Sequence, residues 1–161
     1  MTKSPLWWMA GKRRVFTAST CVSGSLQSVW DFHSKPAALE TLSPPEMNVS
    51  VGDKGFSVDD GKALLIWMSP KGMFLRFPWV STFVDVHEPF TFTDVQTIGP
   101  FAHWRHTHTF ESSGDSTIVH DHIEYAVPGW FLGDLLIGNI VAHQLEETFR
   151  YRSTLLMSHP W

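Results

Sequence analysis

Apolar and polar residues alternate along much of this chain, and the places where the alternation stops divide it into elements. Val15 to Val22 reads as a strand. Ser23-Gly24-Ser25 supplies N-cap chemistry for a short helix from Leu26 to His33. Pro36 opens a second short helix through about Leu42, and Pro44-Pro45 ends it. Strand signal then dominates as far as Val127, with segments at Met47–Val51, Lys62–Ser69, Phe74–His87, Phe90–Ile98, Phe101–Ser112 and Ser116–Val127. Turn-forming residues separate them: Gly52/Gly55, Ser69-Pro70-Lys71-Gly72, Gly99-Pro100 and Gly114-Asp115.

After Pro128-Gly129 the period changes to that of a helix, from about Leu132 to Met157. Ile137, Val141, Leu145, Phe149, Arg152 and Leu156 form one stripe at spacings of three and four. Leu135 to Ala142 is apolar nearly all round, so this half of the helix is expected to meet protein on more than one flank. A curved antiparallel sheet gripping the helix would provide that. Strands followed by a long helix define the expected class as α+β.

The strand pattern also fixes a register. With Gly114-Asp115 as a two-residue hairpin turn, Ser113 faces Ser116, Trp104 faces Tyr125, His106 faces Ile123, His108 faces Asp121 and Phe110 faces Val119. These residues share one face. The opposite face carries Arg105 and Glu124 as an expected ion pair, with Thr107, Thr109, His120 and His122, and reads as solvated. On the preceding strand Phe90, Phe92, Asp94, Gln96 and Ile98 form the inward set, and Asp94 falls opposite His106. The expected arrangement is two carboxylate–imidazole pairs, Asp94–His106 and Asp121–His108, each leaving one imidazole nitrogen free.

Composition narrows the function classes. The 161 residues are 43% hydrophobic and 17% charged, which suits one packed core and excludes disorder. Eight Trp and twelve Phe offer flat apolar surface for a core or a ligand cavity. A net charge of −4 gives no footprint for nucleic acid. The single Cys21 rules out an internal disulfide and fits a reducing compartment, so a cytoplasmic location is expected. Leu6-Trp7-Trp8-Met9-Ala10 is too short for a signal sequence, and no apolar run is long enough to span a membrane. The expected organisation is one ligand-binding domain over 13–157 behind an N-terminal extension, 1–12.

Several motifs resemble the START/Bet v1-like (SRPBCC) superfamily with its helix-grip fold, and most of all its polyketide cyclase/dehydrase-like branch. They are Val29-Trp30-Asp31-Phe32, Leu42-Ser43-Pro44-Pro45, and the series Pro89-Phe90, Asp94-Val95-Gln96, Gly99-Pro100-Phe101, Trp104, His106, His108, Phe110. Asp121, Tyr125, Pro128-Gly129 and Phe149-Arg150-Tyr151-Arg152 continue the series. Gly52, Gly55 and Gly61 are spaced too loosely for the glycine-rich loop of the plant Bet v1 branch. The resemblance implies a sheet of about seven strands around a C-terminal helix, with two short helices after the first strand. It also implies an internal cavity for a small hydrophobic, aromatic or polyketide-like compound.

Within that frame His106, His108, Asp121 and Asp94 are the candidate catalytic residues. Trp79, Phe92, Gln96, Trp104, Phe110 and Tyr125 are the candidate ligand contacts. The favoured activity is cyclisation, dehydration or rearrangement by acid–base chemistry with no cofactor. Two alternatives stay open: a carrier or sensor that leaves the compound unchanged, and a metal site of two histidines and a carboxylate. No bound metal is expected, because a carboxylate stands opposite each imidazole. The expected partner is a hydrophobic small molecule, with a homodimer as a further option.

Overall fold

The computed structural model describes residues 11–69 and 75–161. The Leu6–Ala10 stretch, most of the expected extension, the Pro70–Gly72 turn residues and Phe74 lie outside them. Strand β1 (Arg14–Val22) is followed by α1 (Leu26–His33), α2 (Pro36–Thr41) and a 3₁₀ turn at Pro45–Met47. Strands β2 (Ser50–Val51), β3 (Ala63–Met68), β4 (Phe77–His87), β5 (Thr91–Ile98), β6 (His103–Ser113) and β7 (Ser116–Ala126) come next. The chain ends in α3 (Trp130–Gly133), a π-helical turn (Asp134–Gly138) and α4 (Asn139–Ser158), which run on continuously. All seven strands form one antiparallel sheet in the order β1-β7-β6-β5-β4-β3-β2.

The Ser25 hydroxyl accepts a bond from the Ser28 amide at 3.2 Å, capping α1. The helix buries Val29 and Trp30, and Trp30 wedges edge-on between Phe92 and Phe110 at 5.7 and 5.8 Å. Gly114 supplies the positive φ of 62° that the two-residue β6–β7 turn requires. The pairing then follows as expected, from Ser113↔Ser116 through His108↔Asp121 to Trp104↔Tyr125, and Asp94 pairs with His106. Phe110, Tyr125 and Ile123 are buried, and Arg105 and Glu124 lie on the other face.

The long helix lies across this face. Leu145, Phe149 and Leu156 are buried, Phe149 packs 4.9 Å from Phe16, and the Thr20 and Ser153 hydroxyls meet at 2.6 Å. Arg14 clasps Asp134 with two hydrogen bonds of 2.6 and 3.2 Å, tying β1 to the π-helical turn. A side chain at Gly133 would collide with the Pro128 carbonyl, so only glycine permits that approach.

The fold departs from the sequence reading in four places. In the expected Met47–Val51 strand, Met47 ends the 3₁₀ turn and Asn48 takes a left-handed φ of 44°, leaving a two-residue β2. Phe90 and Ile98, read as inward, are 55% and 57% exposed. Register shifts at Val80/Ser81 and Val84/His87 bend the β4–β5 pair at both ends and carry these two out of the alternation. Arg105 faces Glu124 in register but pairs with Asp85 at 2.6 Å, while Glu124 lies 3.7 Å from Arg13. Finally, Leu135, Leu136 and Ile140 are exposed, so the apolar start of the long helix is gripped on one flank only.

Candidate functional site

A cavity of about 430 Å³ lies between the concave sheet, α1–α2 and the long helix. Its wall is apolar over most of its area, with Leu39, Leu64, Ile66, Phe83, Leu145 and Phe149 among its residues. Asp94, His106 and His108 reach the wall from β5 and β6, and Ser81, Thr148 and Arg152 are among its other polar residues. Asp121 is absent from the lining and stands behind the two imidazoles.

These four side chains form a closed ring. The Nε2 of His106 is hydrogen-bonded to Asp121 Oδ1 at 2.8 Å, and its Nδ1 is 3.4 Å from Asp94 Oδ2. The Nε2 of His108 is 3.4 Å from the same Asp94 Oδ2, and its Nδ1 is 3.0 Å from Asp121 Oδ1 but too poorly aligned to hydrogen-bond. The two rings lie 3.8 Å apart, centroid to centroid. Two separate pairs, each with a free nitrogen, is therefore corrected: both carboxylates bridge both imidazoles. Strand pairing places each histidine opposite one aspartate, but the side chains also reach diagonally across the pleat.

Burial would raise both carboxyl groups, yet the imidazoles outweigh it: Asp121 is held well below its ordinary range and Asp94 below it, helped by the Ser81 hydroxyl at 3.2 Å. Burial likewise opposes charge on His108, but the facing carboxylates of Asp121 and Asp94 lift it to about 8. Burial, with the neighbouring His108 charge, pushes His106 down despite the same carboxylates. Near neutral pH the ring thus holds two carboxylates, one imidazolium and one neutral imidazole.

Of the candidate ligand contacts, Trp79, Phe92 and Trp104 line the cavity. Gln96, Phe110 and Tyr125 do not. Gln96 bonds both the Phe101 carbonyl (2.8 Å) and amide (3.2 Å), bracing the β5–β6 loop. Phe110 is spent on Trp30, and Tyr125 is 2% exposed in a cluster with Ile123, Leu145 and Phe149. Among the lining residues without an assigned role in the sequence are His33 and Arg152. His33 donates from Nδ1 to the Val29 carbonyl (2.8 Å), and burial lowers it to about 4, keeping it neutral. Arg152 was visible as the one cation in the apolar helical stripe. Among the described residues, Asp94, His106 and His108 offer ligand atoms able to hold a cation, all within 4.8 Å of one another.

A curved antiparallel sheet wrapped on a C-terminal helix, with two short helices after β1 and a cavity between, defines the Bet v1-like helix-grip class, and this chain has that fold. The norcoclaurine synthase from Thalictrum flavum, solved with dopamine and hydroxybenzaldehyde, superposes with a TM-score of 0.65 at 17% identity, over 100% of this chain and 96% of that one. Protein Ms6760 from Mycobacterium smegmatis matches with a TM-score of 0.65 at 12% identity, over 95% and 100%. A nucleoside-diphosphate sugar epimerase from Corynebacterium glutamicum matches at 0.62 and 22% identity, over 88% of this chain but 28% of its own. No protein-family model and no curated protein matches the sequence. No helix among the described residues is long and apolar enough to cross a membrane.

Proposed function

We propose that this chain binds a small, largely hydrophobic compound, aromatic or polyketide-like, in the cavity. There it catalyses cyclisation, dehydration or rearrangement through the His–Asp ring, with no cofactor required. One observation carries the reading: Asp94, His106 and His108 open onto a mostly apolar chamber as one contacting cluster of ionisable groups, backed by Asp121. Burying four ionisable groups costs several kcal/mol unless they are mutually satisfied or used.

The 3.4 Å separation of His108 Nε2 from Asp94 Oδ2 is longer than a good hydrogen bond. A ligand hydroxyl inserted there gains a donor on one side and an acceptor on the other. His108, charged near neutral pH, donates its proton to a developing oxyanion, and neutral His106 or Asp94 accepts one. A neighbour of the same fold whose structure holds an amine and an aldehyde supports a cavity large enough for such chemistry. Native mass spectrometry of freshly purified protein identifies a co-purifying compound, and proton NMR follows it on re-addition. His108→Gln should bind it and slow its conversion by about 10²–10⁴; full turnover in this variant would remove His108 from the proposal.

A second reading is favoured by the same distances. Asp94 Oδ2 lies 3.4 Å from both His106 Nδ1 and His108 Nε2, close to the roughly 3.3 Å edge of a tetrahedron with bonds of about 2.0–2.1 Å. Asp121 faces the outer nitrogens of both rings, where supporting carboxylates of metal-bound histidines stand. Elemental analysis giving about one transition metal per chain would put this reading ahead of the first.

A further inference from the structure

Arg152 sits three residues beyond Phe149 on the cavity-facing stripe of α4. Its Nε donates to the Leu42 carbonyl at 3.1 Å, and its Cζ lies 4.7 Å from the Phe149 ring centroid. These contacts fix the guanidinium plane and occupy one of its five N–H donors. Among the described residues no carboxylate forms an ion pair with it; Asp121 and Asp94 act on it only from a distance. The His106 and Phe149 centroids are 5.8 Å apart, so the two legs through that ring, 5.8 and 4.7 Å, put the guanidinium within about 10.5 Å of the His106 centroid.

A guanidinium keeps its charge, so it cannot escape the cost of an apolar wall by losing its proton. The two carboxylates that balance it at long range are already engaged by imidazoles at 2.8–3.4 Å. His33, the basic group on α1 facing the same space, is neutral, and Lys35, the other lining cation, is exposed. The partner that suits its remaining donors is an anion in the cavity with two oxygens in a plane. One guanidinium neutralises one charge, and the Asp94–Asp121 ring repels a second.

We propose that Arg152 anchors a carboxylate of the ligand, so that the cavity takes a monoanionic organic acid with an apolar body reaching toward Asp94, His106 and His108. This rests on reading the cavity as a ligand site and adds the chemical class of what enters it. The fork of donors suits a carboxylate held by two parallel bonds.

The test uses two probes of one shape, 2-naphthoate and 2-naphthylmethanol, titrated calorimetrically into wild type, Arg152→Gln and Arg152→Lys. Wild type should prefer the acid by about tenfold or more. Arg152→Gln should bring the probes within about threefold of each other while keeping its affinity for the alcohol. Arg152→Lys, with the charge but not the fork, should recover part of the preference. Equal affinities in wild type, or a preference that survives in Arg152→Gln, overturn the assignment. Loss of alcohol and acid alike in Arg152→Gln also overturns it, because the residue would then shape the cavity and not read charge. Failure of both probes to bind wild type sinks the cavity reading itself, and this inference with it.

Discussion

Asp121→Asn removes one negative charge from behind the imidazoles and leaves the side chain's size almost unchanged. In the wild type His108 is lifted from an ordinary 6.5 to about 8, and its side chain is 12% exposed. A raised folded-state value means that protonation favours the folded state. That contribution, about 2 kcal/mol at 1.36 kcal/mol per unit, is fully present below pH 6.5 and is lost as pH rises through 8. In Asp121→Asn burial is opposed only by Asp94, so His108 should fall to or below its ordinary value and deliver none of it. The variant also trades the charge-assisted His106–Asp121 bond of 2.8 Å for a neutral one. The expected destabilisation at pH 6 is about 3–5 kcal/mol, the range for breaking a buried ion pair, shrinking by about 2 kcal/mol by pH 9 as the wild type loses its own share. Urea titrations of both proteins at pH 6, 7.5 and 9, with chelator present, read the difference directly. A penalty that stays constant across that range would refute the claim that Asp121 holds His108 charged.

Trp30→Ala should cost about 3–5 kcal/mol, since it empties the slot between Phe92 and Phe110; a fall in Tm of less than about 5 °C in a thermal melt would contradict the wedge. Ser25→Ala should cost about 1 kcal/mol through loss of the α1 cap while Ser25→Gly costs only a few tenths, and equal losses in urea titration would argue against capping.

Much of the sheet is legible in the chain because two devices act together. Gly114-Asp115 fixes one hairpin, and a period of two then decides every facing residue from Ser113 to Trp104. Asp94 opposite His106 follows from a loop of known length. Side-chain reach is not legible in this way. Strand pairing assigns one aspartate to each histidine, but rotamers let both carboxylates touch both rings, and only coordinates decide that. The bulges that expose Phe90 and Ile98 carry no glycine or proline signal at Val80/Ser81. The all-round apolar pattern of Leu135–Ala142 suggests burial, yet the sheet covers one flank of the helix, and Leu135 and Leu136 are each 70% exposed. Arg152 was readable as a charge in an apolar stripe, where a cation is costly without a partner.

The placement of the ring explains why the fold tolerates it. Two apolar clusters stabilise the sheet separately: one joins α1 to β3–β7 through Trp30, Phe92 and Phe110, and the other joins β7 to the long helix through Ile123, Tyr125, Leu145 and Phe149. Phe101 and Trp104 pack against both. The imidazoles stand at the seam, His108 4.4 Å from Phe92 on one side and His106 5.8 Å from Phe149 on the other. Neither cluster depends on the four polar groups for its volume, since the aromatic edges meet without them. Stability from apolar burial is thus available on both sides of a seam whose strands, β5 and β6, lie well inside the sheet with a neighbouring strand on each side. A fold built only for stability would close that seam with leucine or valine, which often matches or exceeds a buried ion pair. Here the seam carries two carboxylates, two imidazoles and, across Phe149, a guanidinium. The polar cost is concentrated where a ligand in the cavity would meet it.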